Sequence, residues 1–215
     1  MKEEIIDIGG RACHFITTDA APVCVVVKPL CTFERRLLHH EFSLTVQEAG
    51  CGFVMCAFEV EEPDLRPEGV DGTFGYLQNA LLPAVEARYA TLPLIVGGYS
   101  LGGLFALWSA TKSRRFTAVA ACSPSLWMPG WEEYYAAHPT QAKYIYMSLG
   151  VDEEKTRKMP YRLVGDCCRR QHQRHVEQLG PDCCHLRWHE GDHFTHSEHR
   201  KATAFAWCIK KVMSP

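Results

Sequence analysis

No stretch of this 215-residue chain comes near the run of about 18 apolar residues that a membrane helix needs. Neither sign of charge is in excess: 23 Lys and Arg stand against 25 Asp and Glu, a net −2. There is no basic field to draw nucleic acid or an anionic membrane surface, and neither partner is expected. The first residues, MKEEIIDIGG, contain early acids and no apolar leader segment, so no signal peptide is expected. A phosphate loop is missing too, because no Lys-Ser or Lys-Thr follows a glycine turn at Walker spacing. Repeats, low-complexity tracts and internal linkers are likewise absent.

Cysteine, by contrast, is plentiful. There are 11, an odd number, with adjacent pairs at 167–168 and 183–184 and with Cys24 and Cys56 inside apolar runs. Without a leader, reduced thiols that pack as small hydrophobes in a cytoplasmic protein are the better reading than a disulfide framework. Hydrophobic residues make up 47% of the chain and charged residues 22%, which suits one folded domain over 1–215 with a sizeable core.

Apolar runs and helix-period segments alternate. Residues 4–18 read as two strand pieces around Gly9–Gly10, 22–30 as a buried strand, 34–50 as a helix ending at Gly50, and 52–60 as a strand. A polar Pro- and Gly-rich loop follows at 61–73, then a helical segment at 74–90 with Pro83 as a kink or restart. Further strands are expected at 92–98, 116–123, 142–150 and 183–191. Helices are expected from the glycine turn after residue 98 to about Lys112, and at 131–138, 160–179 and 197–212. Continuous apolar strands between helices mean parallel strands covered on both faces: an α/β fold with a mostly parallel central sheet flanked by helices. Ligands in such sheets bind at the carboxyl ends of the strands.

One of those ends reads Gly98-Tyr99-Ser100-Leu101-Gly102, a G-x-S-x-G turn between an apolar strand and a helix. In that context the serine is a nucleophile held on a strained turn above the sheet, and side chains at Gly98 and Gly102 would collide with the neighbouring strand or helix. Gly103 would let the helix pack close. The Leu101 N–H, at the positive end of that helix, is the natural first oxyanion donor. A serine nucleophile needs a base. His193 lies just past the last strand in HEGDHFTHSEH (189–199), with His196 and His199 at or inside the next helix. Cys183, Cys184, His185, His189, His193, His196 and His199 also suggest metal binding. Alternation along a strand and adjacent rather than spaced cysteines argue against a designed site, and no metal or cofactor is expected. Asp152, Glu153 and Glu154 follow Gly150, and one of them should orient the histidine.

With these three places in hand, the chain resembles the esterase family of α/β-hydrolases that includes esterase D-like S-formylglutathione hydrolases, feruloyl esterases and enterobactin-type siderophore esterases. The resemblance runs from about residue 20 to the end. It is carried by GYSLGGLFALW (98–108), AVAACSPSLWMPGW (118–131), SLGVDEEKTR (148–157) and GDHF followed by R-x-A-x-A-F-A-W (191–207). It implies an α/β-hydrolase fold with little or no lid and a catalytic triad. The family's acid stands three residues after the glycine ending its strand, which is Glu153 here. Its second oxyanion donor comes from the loop after the third strand, near Leu30 and Cys31, where no His-Gly motif stands. Tyr99, Trp127 and Phe194 are the candidates for touching a small-molecule ester, although Trp127 and Phe194 also fit core packing. The function expected is a cofactor-free serine hydrolase that cleaves a carboxylic ester through an acyl-enzyme. A retired binding protein and an acyltransferase on the same triad are the alternatives.

Overall fold

Among residues 1–214, which the computed structural model describes, eight strands form one sheet: β1 (Lys2–Ile8), β2 (Arg11–Thr17), β3 (Pro22–Leu30), β4 (Gly52–Glu59), β5 (Leu94–Tyr99), β6 (Phe116–Cys122), β7 (Tyr144–Gly150) and β8 (Cys184–His189). Their order is β1-β2-β4-β3-β5-β6-β7-β8. β2 pairs antiparallel with β1 and β4, and every other neighbour pair is parallel.

The helices are α1 (Leu38–Ala49), α2 (Val70–Tyr76), α3 (Leu82–Tyr89), α4 (Leu101–Lys112), α5 (Trp131–Ala137), α6 (Val164–Leu179) and α7 (Ser197–Met213). They cover both faces of the sheet, and the strand sequences show why they must. In β3, Cys24 to Val27 are all buried, and successive side chains point to opposite faces. Val25 and Val27 belong to the core on one face, which also holds Leu82, Phe105 and Cys168 from α3, α4 and α6. Cys24 and Val26 pack with Phe42, Phe205 and Ile209 from α1 and α7.

The stretch 61–73 is not a loop throughout. A short 3-10 turn spans Glu62–Leu65, and α2 starts at Val70. Pro83 falls at the start of α3, directly after a π-helical turn, Leu77–Leu81. The wider turn leaves the missing proline N–H inside a continuous helical path, so the chain does not break there. β8 ends at His189, two residues earlier than the apolar pattern suggested. Residues 190–196 are thereby free to turn over the sheet edge. No helix among the described residues is long and apolar enough to cross a membrane.

β3 leads to α1 and β4 on one side, and the chain then crosses to β5 on the other. This is a switch in winding direction, where open α/β sheets leave a crevice at the strand ends. The carboxyl ends of β3, β5, β6, β7 and β8 follow one another along that edge. They deliver Leu30, Ser100, Ser123, Glu153 and His193 in order.

Candidate active site

Ser100 has φ 55° and ψ −116°, a left-handed conformation rare for a residue with a Cβ. Its N–H donates to the Cys122 carbonyl at 3.0 Å, and its own carbonyl accepts from the Ser125 N–H at 3.2 Å. The elbow is thus pinned to β6 and the turn after it. A Cβ on Gly98 would lie 2.6 Å from the Gly102 carbonyl carbon, so strand and helix can approach only through glycine. Gly102 is less constrained, since a Cβ there would meet only the Pro29 ring, at 3.2 Å. Leu101 opens α4, whose first N–H groups have no partner within the helix.

Glu153 opens a 3-10 turn, Glu153–Lys155, and is buried. Its Oε2 accepts from His193 Nδ1 at 2.7 Å. Because an ionised carboxylate only accepts, Nδ1 carries the proton and Nε2 is left free to act as a base. The other oxygen, Oε1, accepts from the Gly150 N–H at 2.7 Å, Ser123 Oγ at 2.7 Å and Arg200 Nη1 at 2.9 Å. Burial alone would raise the Glu153 pKa. The hydrogen bonds from His193 and the Gly150 N–H, with the nearby imidazole, outweigh it and hold the carboxyl below the ordinary glutamate value.

The neighbouring carboxylates face elsewhere. Asp152 pairs with Lys155 at 2.6 Å, and Glu154 pairs with Arg169 of α6 at 2.7 Å rather than with Lys155 or Arg157. Ser100 Oγ is 3.3 Å from Ser125 Oγ, and this is its only side-chain hydrogen bond among the described residues. No hydrogen bond joins Ser100 Oγ to His193 among the described residues.

Residues 67–197 match the family model described as "Putative esterase". The chain belongs to that family. It is accordingly a carboxylic ester hydrolase. No curated protein sequence matches it. Solved structures share its fold at low identity. The siderophore hydrolase EstA from Aspergillus nidulans is 14% identical with a TM-score of 0.75, over 95% of this chain and 91% of that one. An IroE-like serine hydrolase from Shewanella oneidensis is 15% identical with a TM-score of 0.76, over 97% and 80%. The enterobactin esterase FES from Shigella flexneri is 17% identical with a TM-score of 0.69, over 99% and 59%.

The other sequence candidates of this esterase fall in different places. Tyr99 is not open to a ligand: it is buried, and its O–H donates to the His193 carbonyl at 2.9 Å. It supports the turn that carries the histidine. Trp127 is half-buried and meets Tyr161 edge-on, with ring centroids 4.9 Å apart. Phe194 is 87% exposed, with its ring edge-on to His193. Leu30 is buried at the end of β3, and its carbonyl accepts from the Val60 N–H just beyond β4. In a strand the N–H and C=O of one residue point the same way. The Leu30 N–H therefore faces β4, and across the trans peptide the Cys31 N–H points away from β4, to the side of β5.

The seven-residue Cys/His group does not gather. His185 stacks on Trp207, and His189 is half-buried beneath the turn with its pKa pushed down to about 4 by desolvation and then by Arg187 and Arg200. His196 and His199 lie with Glu198 at the start of α7, with candidate ligand atoms within 4.8 Å of one another, and His199 also meets the His40 ring edge-on. Ser123, Ser125, Tyr161 and Arg200 carry no role on sequence alone. Three of them stand in family motifs: Ser123 and Ser125 in AVAACSPSLWMPGW after a strand end, and Arg200 at the head of R-x-A-x-A-F-A-W. Tyr161 stands in none.

Proposed function

We propose that this esterase is a serine hydrolase using Ser100, His193 and Glu153 through an acyl-enzyme. The observation that carries the reading is the 2.7 Å bond from His193 Nδ1 to a buried, fully hydrogen-bonded Glu153, set beside a serine on a strained elbow. Ser100 Oγ attacks the ester carbonyl while His193 Nε2 takes its proton. Glu153 holds the imidazole in the required tautomer and stabilises its charged form. The Leu101 and Cys31 N–H groups receive the developing oxyanion. The tetrahedral intermediate expels the alcohol, which leaves with the proton from His193. Water then repeats the sequence on the acyl-enzyme and releases the acid. The edge-on pair Trp127 and Tyr161 is the proposed aromatic contact for the substrate. Siderophore esters, named for two of the structural neighbours, belong in the first substrate panel beside simple aryl and alkyl esters.

Partitioning tests this route. Two esters with the same acyl group and different alcohols are turned over in the presence of methanol. A shared acyl-enzyme requires the same ratio of acid to methyl ester from both. A ratio that depends on the leaving alcohol would contradict it.

A further inference from the structure

Two consecutive residues of α7, Arg200 and Lys201, are cations at 1% and 0% exposure. They lead to opposite ends of the site. Arg200 Nη1 donates to Glu153 Oε1 at 2.9 Å and to Tyr99 Oη at 3.0 Å. Its Nη2 donates to the carbonyls of Glu190 at 3.0 Å and Asp192 at 2.7 Å. One planar fork thus grips both the acid and the turn that carries His193. Gly150 makes room for it, since a Cβ there would lie 2.8 and 2.9 Å from the two guanidinium nitrogens.

Lys201 enters a different cluster. Its Nζ donates to Glu34 and, at 2.7 Å, to Glu41 Oε2. Lys28 Nζ donates to both Glu41 oxygens at 2.8 and 2.9 Å and lies 3.9 Å from Glu34. Two lysine amines and two carboxylates, all buried, make one quartet, in which burial holds Lys28 below the ordinary lysine value. Burial alone would lower the Lys201 pKa, and the Glu41 and Glu34 carboxylates reverse that. The quartet sits under the proposed oxyanion loop. Lys28 is two residues before Leu30 in β3, and Glu34 lies in the 3-10 turn Thr32–Leu37, where its N–H donates to the Cys31 carbonyl at 2.9 Å. Apolar residues would stabilise such an interior as well or better. What the charges add is a fixed geometry, because each hydrogen bond has a direction.

The geometry points to α7 as a bracket for the two halves of the site: Arg200 positions Glu153 and the His193 turn, and Lys201, through Glu34, positions the oxyanion loop at Cys31. Both are positioning residues, and the inference rests on the reading of Ser100, His193 and Glu153 given above.

The test compares kcat, KM, the pH profile and the rate of Ser100 labelling by a fluorophosphonate. The proteins are the wild type, Arg200→Met, Arg200→Lys and Glu34→Gln. Charged or titratable groups around Glu153 are His193, His189, Tyr99, Cys168 of α6 and Arg200. Removing the guanidinium leaves a carboxylate that draws the base's proton more strongly. Arg200→Met should lower kcat on the order of 10² with little change in KM, and move the acidic limb of the profile to higher pH. Arg200→Lys should restore the limb without restoring kcat in full, since an ammonium cannot hold both carbonyls. Glu34→Gln should slow kcat and labelling about tenfold and leave the limb in place. Variants that turn over and label at wild-type rates, with only a lower melting temperature, would overturn the bracket. If Arg200→Met does not fold, Arg200→Lys decides: an unchanged kcat overturns the Arg200 half. Failure of the wild type itself to label would remove the Ser100 reading instead, so the two failures are distinct.

Discussion

Glu153 and Ser100 are held in opposite ways. The acid is buried and receives four hydrogen bonds from four different segments: the end of β7, the turn after β6, the turn after β8 and α7. The Ser100 hydroxyl has a single side-chain hydrogen-bond partner among the described residues, Ser125 Oγ, at a long 3.3 Å. The backbone reverses the contrast, for Ser100 is the strained residue and Glu153 lies in an ordinary turn. The difference fits the work each would do. An orienting carboxylate gains from never moving, whereas a nucleophile must exchange one partner for another as the proton leaves. Strain fixes where the serine stands and leaves its hydroxyl free to rotate.

Breaking the loosely held side should have the largest effect. Ser100→Ala is expected to cost on the order of 10⁶ in kcat with a normal melting temperature, since binding alone cannot replace a nucleophile. Steady-state kinetics on an activated aryl ester would check it, and retention of a tenth of the activity would be incompatible with the mechanism. The tightly held side comes next. Glu153→Gln should lower kcat on the order of 10⁴, because an amide at this position no longer fixes the imidazole tautomer. Asp152→Asn and Glu154→Gln should stay within a few-fold of wild type, since their side chains pair with Lys155 and Arg169. Comparable losses in all three would show that the turn matters rather than one carboxylate.

Substrate contact should matter less than either. Trp127→Ala is expected to raise KM about tenfold for aryl esters and less for short alkyl esters, with kcat nearly unchanged, as removal of uniform binding does. A drop in kcat with constant KM would place Trp127 in the scaffold instead.

The smallest effect concerns stability against acid. Glu153 and Glu34 both have carboxyls held below the ordinary glutamate value. In Glu34 desolvation is outweighed first by Lys201 and then by Lys28. A depressed native pKa gives stability that is complete above the unfolded value and lost as pH falls through the native one. The melting temperature should therefore hold down to about pH 5 and fall below it. Glu153→Gln should flatten part of that fall, and an identical slope in variant and wild type would remove Glu153 from the acid transition.

Much of this arrangement is legible in residue order. Apolar runs such as PVCVVVKPL and YIYMSLG mark strands, and the glycines around Ser100 mark the elbow. The residues following each strand end are the ones that meet, because parallel strands deliver their carboxyl ends to a single edge. Three things are not legible. The choice among Asp152, Glu153 and Glu154 depends on the direction of each residue in a short turn, which spacing from Gly150 alone does not fix without a family to compare. The choice between Leu30 and Cys31 depends on which way one backbone N–H points, a matter of register with β4. Arg200 heads the R-x-A-x-A-F-A-W motif, but the motif does not say what its side chain touches. Only the fold shows it at 1% exposure with the acid on one side and the histidine turn on the other. The same holds for Lys28 and Lys201, whose counter-charges lie 13 and 167 residues away.

The most direct test of the central claim is the mass of the protein after reaction with a small fluorophosphonate, followed by mapping of the modified peptide. The account predicts one adduct per chain, on Ser100, formed slowly in Glu153→Gln and not at all in Ser100→Ala. No adduct on the wild type, or an adduct on the neighbouring Ser125 that persists in Ser100→Ala, would contradict it.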